Sequence, residues 1–121
     1  MSAALRLADL WGRAVEGRNP ARVVQLYTPD AVLVGTVAQR IKVGRDAIRT
    51  YFNSFLRKPG LRVVFKSSHV QQIPYGFVDS GTYVFHWTGQ VKPVVARFTF
   101  VWVRRNDRWM LLNHHSSALP E

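Results

Sequence analysis

The sequence predicts an α+β domain: three helices first, then a long antiparallel meander. Three observations carry this. Leu7, Leu10, Trp11, Ala14 and Val15 recur at helical spacing near the start of the chain. From Leu61 onward, β-branched and aromatic residues fill four runs broken by turn residues. Helices and strands are therefore segregated along the chain, which suits a curved sheet covered by helices on one face.

Each element has its own signals. Residues 3–16 form an amphipathic helix, with Gly17 suited to its stop. Asn19 caps a second, shorter helix, with Pro20 at the first position, where a missing N–H costs nothing. Val23, Val24, Leu26 and Tyr27 supply its apolar side, and "TPD" breaks it at Pro29. "AVLVGTVAQRIKV" (31–43) predicts two short strands meeting near Gly35 to Gln39. "GRDAIRTYFNSFL" (44–56) is a third helix, with Asp46 in the first turn, where the dipole favours an anion. Its stripe is Ile48, Tyr51, Phe52, Phe55 and Leu56, and "KPG" ends it. The remaining strands are 61–70, 75–87, 94–105 and 108–118, with "TGQVKP" and "RNDR" as hairpin turns.

Composition bounds the function. A chain of 121 residues is expected to be one domain over its whole length, with a real core and no need of staples. It has no cysteine, so disulfides and thiol nucleophiles are excluded. "MSAALRLADLW" lacks the basic-then-apolar pattern of a secretory signal, and no apolar run reaches the roughly 18 residues of a membrane span. A cytoplasmic protein is expected. The net charge is +10, from 17 Lys+Arg against 7 Asp+Glu. The basic residues are scattered, with pairs such as Arg57–Lys58 as the densest groups, and no nucleic-acid motif accompanies them. A solvated basic surface is the favoured reading over a nucleic-acid face.

Strand parity sorts the two sheet faces. In "VDSGTYVFHW", Asp79, Gly81, Tyr83, Phe85 and Trp87 share one face, while Ser80, Thr82, Val84 and His86 share the other. The next strand sets Phe98, Phe100 and Trp102 against Arg97, Thr99, Val101 and Val103. The aromatic rows form the natural inner lining, since burying each ring contributes about 1.5–3 kcal/mol.

The element order resembles the NTF2-like superfamily, and within it the SnoaL-like group related to the calcium/calmodulin-dependent kinase II association domain. The stretches "LYTPDAVLVGT" (26–36), "GRDAIRTYF" (44–52), "VDSGTYVF" (78–85) and "ARFTFVWVRRNDRWMLLNHHSS" (96–117) carry the match. The resemblance implies a cone-shaped barrel, with the helices packed in a strongly curved antiparallel sheet and a pocket at the open end. It also implies association through the outer sheet face, as dimers in small bacterial members and larger rings in the kinase domain. Thr82, Val84, His86, Arg97, Thr99, Val101, Asn113 and His115 are the interface expected here.

The adjacent His114 and His115 cannot share a face, and the register of the last hairpin decides which looks inward. Neither a two-residue loop (106–107) nor a three-residue loop (106–108) has the glycine each prefers. The family's usual three-residue form places Met110, Leu112, His114 and Ser116 inside, with Asn113 and His115 outside. His114 is then the candidate acid–base group, against the plain alternative of a satisfied structural histidine. Asp79 is the one carboxylate on the aromatic face, but it sits at its strand's start, which argues against the buried carboxylate base of related isomerases and cyclases. Trp11, Tyr27 and Tyr51 complete the expected pocket lining.

No metal site is expected from His69, His86, His114 and His115, and no cofactor is implied. As aligned, the kinase association domain carries arginines at the positions of Trp87, Phe100 and Ser116. Their absence points to an apolar or aromatic ligand. The expected function is a homodimer whose aromatic pocket binds, or by cofactor-independent acid–base chemistry transforms, a small apolar molecule. The alternatives are an association module without chemistry, and a basic surface for nucleic acid or an acidic partner.

Overall fold

The computed structural model describes residues 2–36 and 38–120. In chain order the elements are α1 (Ala3–Glu16), α2 (Pro20–Val24), β1 (Tyr27–Val34), β2 (Lys42–Val43), α3 (Arg45–Phe55), β3 (Arg62–Ile73), β4 (Gly76–His86), β5 (Val94–Arg105) and β6 (Arg108–Ala118). The strands form one sheet in the order β2-β1-β6-β5-β4-β3, antiparallel throughout except for the β1–β6 pair. Register slips between Phe65 and Ser67 in β3, and between Val101 and Trp102 in β5, mark bulges. Bulges bend a strand and sharpen its twist. The sheet therefore curls around the helices as a cone.

Local chemistry explains the elements that line it. Ser2 caps α1 by accepting from the Leu5 N–H, and the helix buries Leu7, Trp11 and Val15 against the sheet. Gly17 follows the helix but stays right-handed (φ −71°), and it is Arg18 that turns left-handed (φ 59°). The Arg18 guanidinium donates to the carbonyls of Leu56 and Arg57, tying this turn to the end of α3. Asn19 caps α2 as expected, accepting from Ala21 N.

Pro29 is not what ends α2, which stops at Val24, so that Tyr27, expected on its apolar side, instead opens β1. "TPD" lies within β1, where pairing with β6 is irregular between Tyr27 and Val32 and asks no ladder N–H of the proline.

The last hairpin corrects the expected register. Arg105 pairs with Arg108, so the loop is the two-residue Asn106–Asp107, with φ of 51° and 62°. Those values fit a type I′ turn, which Asn and Asp tolerate without glycine. The extra residue sits further along the strand, because Trp102 pairs with Leu111 but Val101 with Asn113. Beyond this bulge Phe100 faces His114, the register that a three-residue loop would have set. Leu112, expected to face inward, is the displaced residue and is half-buried, while fully buried Leu111 takes the inner place. Met110, also expected inside, pairs with Val103, on the face opposite Leu111.

Candidate functional site

The centre of the cone is an aromatic cluster around one imidazole. Trp11 stacks on Tyr83 at 5.8 Å and meets His114 edge-on at 5.3 Å. Phe100, opposite His114 in the sheet, lies 4.6 Å from its ring. Phe98 and Trp102 continue the same row and are buried. His114 itself is 2% exposed.

A directed hydrogen-bond chain runs through this cluster. The Trp11 indole N–H donates to Tyr27 Oη at 3.1 Å, and an indole N–H can do nothing else. Tyr27 Oη lies 2.9 Å from His114 Nδ1, while His114 Nε2 lies 3.1 Å from Tyr83 Oη. Tyr83 in turn donates to Ser116 Oγ at 2.6 Å, and Ser116 meets Thr36 Oγ1.

The tautomer follows from both ends. Tyr83 has one proton and spends it on Ser116, so His114 must donate to Tyr83 from Nε2–H. Nδ1 is then bare and accepts from Tyr27, whose lone pair already receives Trp11. Burial, helped by the neighbouring His115, pushes the His114 pKa down to about 3. Burial likewise raises the phenols of Tyr27 and Tyr83. At neutral pH every member is uncharged, and both imidazole nitrogens are committed.

Free space adjoins this cluster on the side of Thr36 and Phe55. Beside His114 and Ser116 the cone leaves about 10 Å³, room for one water. Outward from it, Thr36, Phe55, Lys58, Phe85, Trp87 and Val94 line a space of about 50 Å³. A groove of about 300 Å³ follows, between Ala38, Lys42, Thr50, Tyr51, Ser54, Phe55 and Lys58. Lys58 Nζ sits 4.7 Å from the Phe55 ring centre and 5.2 Å from that of Trp87, and partial burial lowers its pKa. Tyr51 stacks on Phe55 at 5.6 Å, with its ring over Gly35.

Asp79 is placed away from this mouth. It pairs with Phe100, which pairs with His114, so two strand spacings separate acid from imidazole, about 10 Å. The two candidate catalytic groups are not brought together. Asp79 Oδ1 accepts from Ser68, while its Oδ2 and the Trp102 indole nitrogen are buried without a partner among the described residues. Burial raises the Asp79 pKa.

The opposite face of the sheet is uncovered by any helix among the described residues. Across it, Thr82 pairs with Arg97, Val78 with Val101, and Thr99 with His115. Asn113 pairs with Val101 in the same band, and Val84 and His86 extend it along β4.

Comparison with known families decides the assignment. The calcium/calmodulin dependent protein kinase II association domain family matches residues 3–120. The chain belongs to this family. A protein of Xanthomonas campestris described as such an association domain is 38% identical in sequence, with a TM-score of 0.91, over 98% of this chain and 86% of that one. One of Thiobacillus denitrificans, described likewise, is 20% identical with a TM-score of 0.80, over 93% of this chain and 92% of that one. An NTF2-like protein of unknown function from Pseudomonas putida shares 16% identity and a TM-score of 0.85, over 100% of this chain and 91% of that one. The last two likenesses show the fold alone, which is NTF2-like. No curated protein matches.

In this association domain the expected lining residues divide in two. Trp11, Tyr27, Tyr83, Phe98, Phe100, Trp102 and His114 fill the cone, whereas Tyr51, Phe85 and Trp87 rim the mouth. Ser116 sits at the neck between them. Sequence reasoning missed Thr36 and Lys58. Thr36 lies in the loop after β1, where strand parity says nothing, and Lys58 lay hidden in a helix-stop signal. Among the described residues no histidine or acid cluster could hold a metal, and no helix is long and apolar enough to cross a membrane.

Proposed function

We propose that this association domain is a homodimeric binding protein that holds a small apolar or aromatic molecule at the mouth of its cone. The observation that carries this is the division of space. Both His114 nitrogens are engaged, while Phe55, Phe85 and Trp87 frame a space of about 50 Å³, and Phe55 and Lys58 also line a groove of about 300 Å³. Pockets for small molecules are mostly apolar with a few placed polar groups, as here with Thr36 and Lys58. Acid–base catalysis by His114 finds no support, because neither ring nitrogen is free.

The test is thermal unfolding against a panel of small aromatic compounds. A ligand at one hundred times its Kd stabilises by about 2.7 kcal/mol, and Trp87→Ala removes that gain. A panel that shifts nothing contradicts the reading.

The second reading is a pure association module. It draws on the outer face of β4 to β6, where Val78, Val84, Val95 and Val101 stand among polar neighbours with no helix over them among the described residues. An antiparallel sheet facing water normally carries polar residues there. A second copy suits the face, since a two-fold contact needs only one self-complementary patch.

A further inference from the structure

The outer face of β3 to β6 carries charge of one sign. These four strands contain a single acid, Asp79, and it is buried on the inner face, paired with Phe100. Arg62, His69, His86, Arg97, Arg105 and His115 fall on the outer face. The carboxylate at the edge of this face is Asp30 of β1, and Arg105 already holds it at 3.0 Å. His115 has the central place, on β6 between β1 and β5, opposite Thr99 and Val34. Asn113 and Ser117 flank it along the strand, and Arg97, opposite Ser117, stands diagonally across from it. The row through Thr99 continues by Ser80 to His69 on β3, and His86 is opposite Arg62. The charge of Asp79 is felt at His69, but from the other side of the sheet. His69 and His115 are both exposed in a single copy.

Such a face can pair with itself. Ser80, Thr82, Thr99, Asn113 and Ser117 each donate and accept, so the same groups on a second copy can satisfy them. Val78, Val95 and Val101 lie among them as apolar area. A neutral imidazole is of the same kind, with one donor and one acceptor, whereas an imidazolium only donates and carries a charge. A two-fold contact presents every such charge twice. Wherever the axis falls on this face, the new cation meets hydroxyls, valines or further cations. We propose that association through the outer face is acid-sensitive: a second copy docks while His115 and His69 are neutral and leaves as they take up protons. The dimer then binds fewer protons than two monomers, so association strengthens as the pH rises through the range in which histidines lose their charge. This rests on the association reading of the outer face and adds its regulation.

Sedimentation equilibrium of the whole chain at about pH 7.5 and pH 5.5 tests this, on protein that circular dichroism shows to be folded. In about 0.1 M salt the dimer Kd should rise about tenfold or more on acidification. In the double variant His69→Gln, His115→Gln, which keeps hydrogen-bonding groups without the titration, it should change less than about threefold. His114 is present in both proteins, so its own ionisation cancels in the comparison. In the wild type the acid-induced loss should shrink in about 1 M salt, where the Debye length is about 3 Å. A dimer equally tight at both pH values would overturn the acid sensitivity and leave the association standing. A loss that survives the double variant, or one of the same size at both salt concentrations, would also overturn it. A monomer at pH 7.5 would sink association through this face as well. Where the variant does not assemble at pH 7.5, the wild-type pH and salt series decides the matter.

Discussion

The hydroxyl of Tyr27 lies 2.9 Å from Nδ1 of His114 and, with an indole already donating to it, can only give its proton to that nitrogen. A protonated His114 would need Tyr27 to accept twice and to leave its own proton buried with no partner. The cone is thus built around a histidine that must stay neutral.

Acid sensitivity follows with a definite sign. The folded imidazole titrates near 3. The unfolded one titrates near its ordinary value of about 6.5. Between these values the unfolded chain binds one proton more, so this contribution to stability is complete above about pH 6.5 and is lost as the pH falls toward 3. The expected loss is about 1.4 kcal/mol per pH unit at most. Urea unfolding of the wild-type chain and of His114→Gln from pH 7 to pH 4 measures it as a difference in slope. Parallel pH dependences in the two proteins would contradict the burial of a neutral His114.

Much of this arrangement was legible from sequence, though not all for the right reason. Helical spacing placed Trp11, and strand parity placed Tyr83, Phe98 and Phe100, because a period of two leaves a ring only two faces. The inward face of His114 was reached through a three-residue turn that is not there. The extra residue lies in the bulge at Leu112. Bulges leave no mark in a run such as "WMLLNHH", where every residue tolerates a strand, so Leu112 was assigned to the wrong side. Gly17 does stop α1 as read, but the left-handed Arg18 after it was hidden for another reason. The carbonyls of Leu56 and Arg57 that hold its guanidinium lie 38 and 39 residues away.

The mouth depends on a missing side chain. A Cβ at Gly35 would stand 2.3 to 2.9 Å from three atoms of the Tyr51 ring. The φ of Gly35 is not left-handed, so the demand is for space and not for backbone freedom. Gly35→Ala should destabilise by about 1–3 kcal/mol, the usual cost of overpacking. It should also displace Tyr51 from Phe55, read as a loss of ring-current shifts on Tyr51. A variant as stable as wild type with those shifts unchanged would refute this packing.

The outer face makes its own prediction. Val101 sits mid-strand there, paired with Val78 on one side and Asn113 on the other, and is half-exposed. Val101→Glu places a charge where two copies would meet, and burying an unpaired charge is strongly unfavourable. Sedimentation equilibrium should show a dimer for wild type and a monomer for the variant, with little change in the fold by circular dichroism. Identical assembly in both would remove this face from consideration.

The most direct test of the account is the ionisation and tautomer of His114, read from its ¹⁵N ring signals between pH 4 and pH 8. The account predicts one neutral form throughout, protonated at Nε2 and bare at Nδ1, because Trp11 at one end of the chain and Ser116 at the other both require it. A His114 that titrates near 6.5, or that carries its proton on Nδ1, would mean that the cone is open or its chain runs the other way. The account of a centre closed around a neutral imidazole would then be wrong.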